Sequence, residues 1–203
     1  MSFLKILVIG ETATGKSSLV NRLVQNTFLE NYKATIGCEF GFKVIEVNGV
    51  TLRVQLWDLA GQDRLGGISR MYCRDATGAI VVADITREET IAKAVKWKEE
   101  VDENVKMPDQ SPIPMAFCLN KSDLVSNLAA KQDKYEAEAK ANQFIGCWFT
   151  SAKTGTGVDE ALLGLVREVL SRAGMKEQEE QETRGKKLEE TLATTAGSKK
   201  CSC

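Results

Sequence analysis

The run Gly10-Glu11-Thr12-Ala13-Thr14-Gly15-Lys16-Ser17 has the form G-x-x-x-x-G-K-S. Peptide N–H groups in such a loop, together with the N-terminus of a following helix, present partial positive charge that phosphate oxygens complement. The pattern assigns the α- and β-phosphates of a nucleotide to the loop backbone, β/γ charge to Lys16, and a Mg²⁺ ligand to the Ser17 hydroxyl. Candidate phosphate-binding residues are therefore Glu11, Thr12, Ala13, Thr14, Gly15, Lys16, Ser17 and Ser18.

A second group, Asp58-Leu59-Ala60-Gly61-Gln62, begins where the apolar run Leu52–Trp57 ends. A carboxylate at Asp58 can hold Mg²⁺ through water, the Gly61 N–H can approach a γ-phosphate, and Gln62 can orient an attacking water. The third group, Asn120-Lys121-Ser122-Asp123, follows the run Met115–Leu119. An Asp123 carboxylate accepts from guanine N1–H and the 2-amino group, and adenine offers neither donor. Hydrogen bonds to a charged group contribute about 1.5–3 kcal/mol each, so the choice of base follows from that one side chain. Ser151-Ala152-Lys153, after the last apolar run, is short, but its place in the order makes it a base-binding loop.

These groups need elements to hold them. Leu4, Ile6, Leu7, Val8 and Ile9 read as a buried strand, and Ser17, Leu19, Val20, Leu23 and Val24 have helical spacing. Phe40–Val47 and Leu52–Trp57 around Asn48-Gly49 read as a hairpin. Three more strands, Ala79–Ala83, Met115–Leu119 and Phe144–Phe149, alternate with helices over Glu88–Val105, Lys131–Asn142 and Val158–Arg172. The β-branched run Ile80-Val81-Val82 fits a parallel strand covered on both faces. This alternation predicts a doubly wound α/β sheet, whose ligands bind at the carboxyl ends of its strands.

Composition narrows the chemistry. The 203 residues suit one domain of about 150 residues with something appended. A net charge of −1 lacks the basic signature of a nucleic-acid binder, and the absence of histidine excludes His-dependent triads and zinc sites. No run approaches the roughly 20 apolar residues of a membrane span, Phe3–Gly10 reads as a strand and not a signal segment, and Ser2 stands where myristoylation needs glycine. Cys38, Cys73, Cys118 and Cys147 read as free thiols of a reducing compartment. Residues 174–203 carry six Lys/Arg and six Asp/Glu with little to bury, the composition of a mobile tail without a polybasic patch.

The motifs, in this order over residues 3–172, resemble the Ras-type small GTPases. The resemblance implies a P-loop Ras-like G domain over 1–173, with a six-stranded, mostly parallel sheet flanked by about five helices, and a flexible tail over 174–203. It also implies bound GTP or GDP with Mg²⁺, Gln62 and Lys16 as catalytic residues, Thr35 as a further Mg²⁺ ligand, and Phe28 against the guanine face. Residues of about 30–40 and 60–73 are then expected to change order when the γ-phosphate leaves.

Within that superfamily, Thr35–Phe40, Leu56–Arg64 and the terminal Cys201-Ser202-Cys203 resemble the Rab branch. That branch implies a switch of vesicle traffic on the cytoplasmic face of an intracellular membrane, cycling with the cytosol. Geranylgeranyl groups on Cys201 and Cys203 would anchor it, and Phe40, Trp57 and Tyr72 would meet effectors, unless the three aromatics are simply core. The implied partners are an exchange factor, a GTPase-activating protein, a GDP-dissociation inhibitor and a prenylation escort protein. The connection Lys106–Pro114 is most similar to Rabs of lysosome-related organelles. Thr12 and Ala13 stand where Ras has glycines, which leaves open a module that holds GTP without useful turnover; a metabolite kinase is disfavoured by Asn120–Asp123. Asp63, Leu65 and Cys73 depart from the usual switch II residues and bear on partner choice.

Overall fold

The computed structural model describes residues 2–30, 34–47, 49–61, 70–107 and 109–174. Six strands, β1 (Ser2–Ile9), β2 (Cys38–Val47), β3 (Val50–Leu59), β4 (Gly78–Asp84), β5 (Met115–Asn120) and β6 (Gly146–Phe149), form one sheet in the order β2-β3-β1-β4-β5-β6. Only the β2–β3 hairpin is antiparallel. Helices α1 (Lys16–Gln25), α2 (Arg70–Cys73), α3 (Glu88–Asn104) and α4 (Ala129–Ala141) are joined by α5 over 158–174. This is the Ras-like α/β architecture expected, with strand order reversing between β1 and β4.

Every residue of β4 and β5 is buried, because a central parallel strand is covered on both faces. Each such side chain, Ile80 or Leu119 for example, contributes about 1.5–3 kcal/mol by leaving water. One face of the sheet (Leu7, Ile9, Val81, Phe117, Leu119) packs with Ile91, Ala94, Trp97 and Val101 of α3 and Tyr135 and Ala139 of α4. The edge strand β2 instead leaves Phe40, Phe42 and Val44 exposed along one face, at the period of two that a half-covered strand imposes.

The last strand begins at Gly146, two residues after the start expected from its apolar run. Phe144 belongs to the end of α4. Gln143 takes φ 59°, the Phe144 N–H donates to Ala139 O at 2.9 Å, and the Gln143 N–H donates to Lys140 O at 3.1 Å. These are the paired bonds of a Schellman stop. The Phe144 ring then stacks on Phe117 with centroids 4.9 Å apart. Helices α3 and α4 and the helix over 158–174 differ from expectation by one or two residues at their ends.

Met1–Glu168 form one compact unit and Val169–Cys203 a second, whose described part, 169–174, is the end of α5. Cys38, Cys73, Cys118 and Cys147 are free thiols, and burial pushes that of Cys147 up to about 12. Among the described residues no helix is long and apolar enough to cross a membrane.

Candidate functional site

At the carboxyl ends of β1, β3, β5 and β6 the chain leaves the sheet in the loops that carry the motifs. The loop after β1 enters α1 through Gly15, whose φ of 93° disfavours any side chain. A Cβ there would also lie 2.3 Å from Asn120 Nδ2. Gly61 approaches the same loop from β3: a Cβ on it would lie 2.5 Å from the Thr12 nitrogen.

Together these loops enclose a cavity of about 520 Å³. Thr12, Ala13, Gly15, Lys16, Ser17, Ser18, Phe28, Thr35, Gly61, Asn120, Lys121, Asp123, Ala152 and Lys153 line it. The remaining site residues anticipated on sequence grounds lie elsewhere. Thr14 is fully buried and bonds back to Glu11 O at 2.9 Å. The Ser151 hydroxyl stands behind Asp123, donating to Oδ1 at 2.5 Å. Glu11 reaches α3, and Asp58 meets Ser17 and Thr35. Gln62, Cys201 and Cys203 lie outside the described residues, as do Asp63 and Leu65.

Lys16 Nζ donates to Gly10 O and Glu11 O, each at 3.0 Å. Burial lowers its pKa, and the carboxylates of Asp58 and Glu11 offset part of that. Asp58 lies at the end of β3, 1% exposed. Its Oδ2 accepts from the Ser17 hydroxyl and, at 3.4 Å, from Thr35 Oγ1, and the two hydroxyls are 2.8 Å apart. Burial pushes the Asp58 carboxyl up to about 6 despite the Ser17 hydrogen bond and the nearby Lys16. Three oxygen-bearing side chains distant in sequence thus meet at one point beside the cavity.

At the β5 loop, Asn120 bridges Thr14 O and the Ala152 N–H. Lys121 Nζ donates to Ala13 O at 2.9 Å and pairs with Asp84 Oδ2 at 2.7 Å. Arg87 pairs with the same Asp84 oxygen at 3.1 Å and donates to Thr12 O at 3.1 Å. Asp84 was not singled out by its residue type, nor were Leu29, Glu30, Ala34 and Leu124, which complete the cavity wall. The one signal for Asp84 was its position at the carboxyl end of a fully apolar strand.

Away from the cavity, Trp57 lies between Phe40 and Tyr72, with ring centroids 5.7 and 6.2 Å away. Phe40 is 61% exposed and the other two are half-buried, so the three form a surface cluster and not core.

A sequence-family model described as the Ras family matches residues 5–171. The chain is 40% identical to Ras-related protein Rab-32 of Sus scrofa over 189 residues, covering 93% of this chain and 84% of that protein. It is 37% identical over 168 residues to Rab-7L1 of Rattus norvegicus, covering 82% of each. With Rab-32A of Dictyostelium discoideum it shares 42% over 172 residues, covering 82% of this chain and 77% of that one. Rab-32 and Rab-7L1 fall in the subgroup to which the Lys106–Pro114 connection pointed. Binding of guanine nucleotide, GTP hydrolysis and dealings with regulators and effectors come with membership, and a module without turnover is set aside. The chain belongs to the Ras family and, within it, to the Rab GTPases of membrane traffic.

Proposed function

We propose that the cavity is the guanine-nucleotide site, with the Glu11–Ser18 loop on the phosphates and Asp123, Lys121, Phe28 and the Ser151–Lys153 loop on the base. The observation that carries this reading is that one cavity is lined both by the phosphate-binding loop and by Asp123. The Ser151 hydroxyl donates to one oxygen of that carboxylate, which orients it while leaving acceptor capacity for two guanine donors.

The residues beside the cavity also fit Mg²⁺. Asp58 Oδ1 is buried without a hydrogen-bond partner among the described residues, and the Ser17 and Thr35 hydroxyls gather at the other oxygen. All three are the hard oxygen donors that this ion takes, directly or through its waters. When bound, the ion supplies positive charge to the β- and γ-phosphate oxygens.

Lys16 adds a second positive charge at the phosphates, and Gly61 offers its N–H from a backbone already packed on the loop. Gln62 orients the water that attacks the γ-phosphorus. No arginine is assigned to the transition state, so turnover is slow until a GTPase-activating protein contributes about 10³–10⁵-fold. Thr35 reports the γ-phosphate to the Phe40–Trp57–Tyr72 surface, where effectors dock. An exchange factor and a GDP-dissociation inhibitor complete the cycle. A prenylation escort protein presents Cys201 and Cys203 for geranylgeranylation, which places the protein on the cytoplasmic face of an intracellular membrane, in the traffic of lysosome-related organelles.

Asp123→Asn tests the base assignment. The amide repels the guanine donors and suits the 2-oxo group of xanthine, so GTP binding is expected to fall and xanthosine triphosphate binding to rise in a competition titration. An unchanged preference for GTP would overturn the role of Asp123.

A further inference from the structure

Glu11 carries a negative charge inside a loop that holds anions, one residue from the cavity wall. Its side chain is 14% exposed, so water screens the charge poorly. The carboxylate is absent from the cavity lining, which Thr12 and Ala13 supply. It is occupied on the other side of the loop. Lys93 Nζ donates to Oε2 at 2.8 Å, and Trp97 Nε1 donates to Oε1 at 3.3 Å.

Both donors sit on α3 four residues apart, hence on one helical face. Trp97 is 2% exposed and fixed in the core between α3 and the sheet. The two contacts therefore do different things: the indole fixes where the carboxylate lies, and the ammonium cancels its charge. A carboxylate left uncancelled at this depth would repel phosphate held by the same loop and would itself be poorly solvated.

We propose that Lys93 and Trp97 are positioning residues for nucleotide retention. They hold the Glu11 carboxylate on the α3 side of the phosphate-binding loop and neutralise it, so that the loop presents its N–H groups without a competing negative charge. The inference rests on the assignment of the cavity to guanine nucleotide. It makes a prediction opposite in sign to plain packing: removing Lys93 is harmful only while Glu11 is charged.

The test uses the full chain loaded with a fluorescent GDP bearing an N-methylanthraniloyl group, in Mg²⁺ buffer, with release followed after adding excess GDP. Lys93→Met is expected to speed release about fivefold, the size of one poorly screened charge interaction. Lys93→Gln, measured in parallel, moves the same way, and Lys93→Arg, which keeps the charge, releases at the wild-type rate. In a Glu11→Gln background, where Oε1 can still accept from Trp97, Lys93→Met adds no further acceleration. Wild-type release from both Lys93→Met and Lys93→Gln would overturn the inference, as would equal acceleration with and without the Glu11 charge, which is the signature of lost packing. A wild-type chain that does not take up the labelled GDP would overturn the nucleotide assignment itself, and this inference with it.

Discussion

Asn120 donates from Nδ2 to the Thr14 carbonyl at 2.8 Å, tying together residues 106 positions apart. Its Oδ1 accepts the Ala152 N–H at 3.1 Å, so one buried amide fastens the phosphate-binding loop to the loop after β6. Asn120→Ala leaves a carbonyl and an N–H buried without that partner, at about 1–3 kcal/mol each. Urea unfolding is expected to show a loss of about 2 kcal/mol or more, and GDP release is expected to quicken. A variant as stable as wild type would mean that the two loops are fastened by something else.

Ala13 takes φ 61°, a left-handed conformation that costs an L residue about 1–2 kcal/mol relative to its usual one. Lys121 Nζ on the Ala13 carbonyl holds it there. Ala13→Gly removes that strain but loosens the unfolded chain by about 0.4–1 kcal/mol, so the expected net is a gain of about 0.5 kcal/mol in unfolding free energy. Ala13→Val, β-branched, is expected to lose stability. Thermal unfolding of the two variants in the same buffer decides it; an equal fall in both would contradict the strain.

What the sequence conveyed and what it concealed divide along physical lines. Strands β4 and β5 were legible because burial on both faces demands unbroken apolar runs. The motif residues were legible because each follows such a run at a strand end. Phe144 misled because an apolar residue that closes a helix looks, in sequence, like the first residue of the strand beyond it. Leu29, Glu30, Ala34 and Leu124 reach the cavity along loops, which have no period to read. The side-chain direction of Glu11 was also hidden, since it depends on α3 packing beside a loop more than 80 positions away in sequence. Asp84 meets Lys121 only because β4 and β5 pair in the register Asp84↔Asn120, which no local pattern states.

That register gives the protein a sensitivity to acid. Burial pushes the Asp84 carboxyl up, but hydrogen bonds from Lys121 and Thr86, and the Lys121 charge, outweigh it and leave the pKa below the ordinary 3.8. A carboxyl that gives up its proton more readily when folded contributes stability that is complete above the unfolded value and lost as pH falls through the lowered one. Asp84→Asn is therefore expected to be less stable than wild type at pH 7, with a smaller further loss below about pH 4. Parallel acid titrations of unfolding free energy would measure this; curves that stay a constant distance apart would remove Asp84 from the account.

The proposed membrane anchor rests on the two terminal cysteines. Each buried CH₂ contributes about 0.8 kcal/mol, yet a single myristoyl-length chain gives only marginal, reversible binding. Residues 174–203 balance six basic against six acidic side chains, so no electrostatic patch assists one chain. Two longer prenyl groups, on Cys201 and Cys203, then supply stable attachment, and the polar tail keeps the nucleotide domain clear of the bilayer. Cys201→Ser or Cys203→Ser alone is expected to weaken or misdirect membrane association, and the double change to leave the protein in the soluble fraction of its native cell. GDP binding should be the same in all three, because the cavity is built from residues between Thr12 and Lys153. Fractionation with mass spectrometry of the C-terminal peptide checks both points: two unmodified thiols in the native protein, or a double variant that still pellets with membranes, would overturn the anchor.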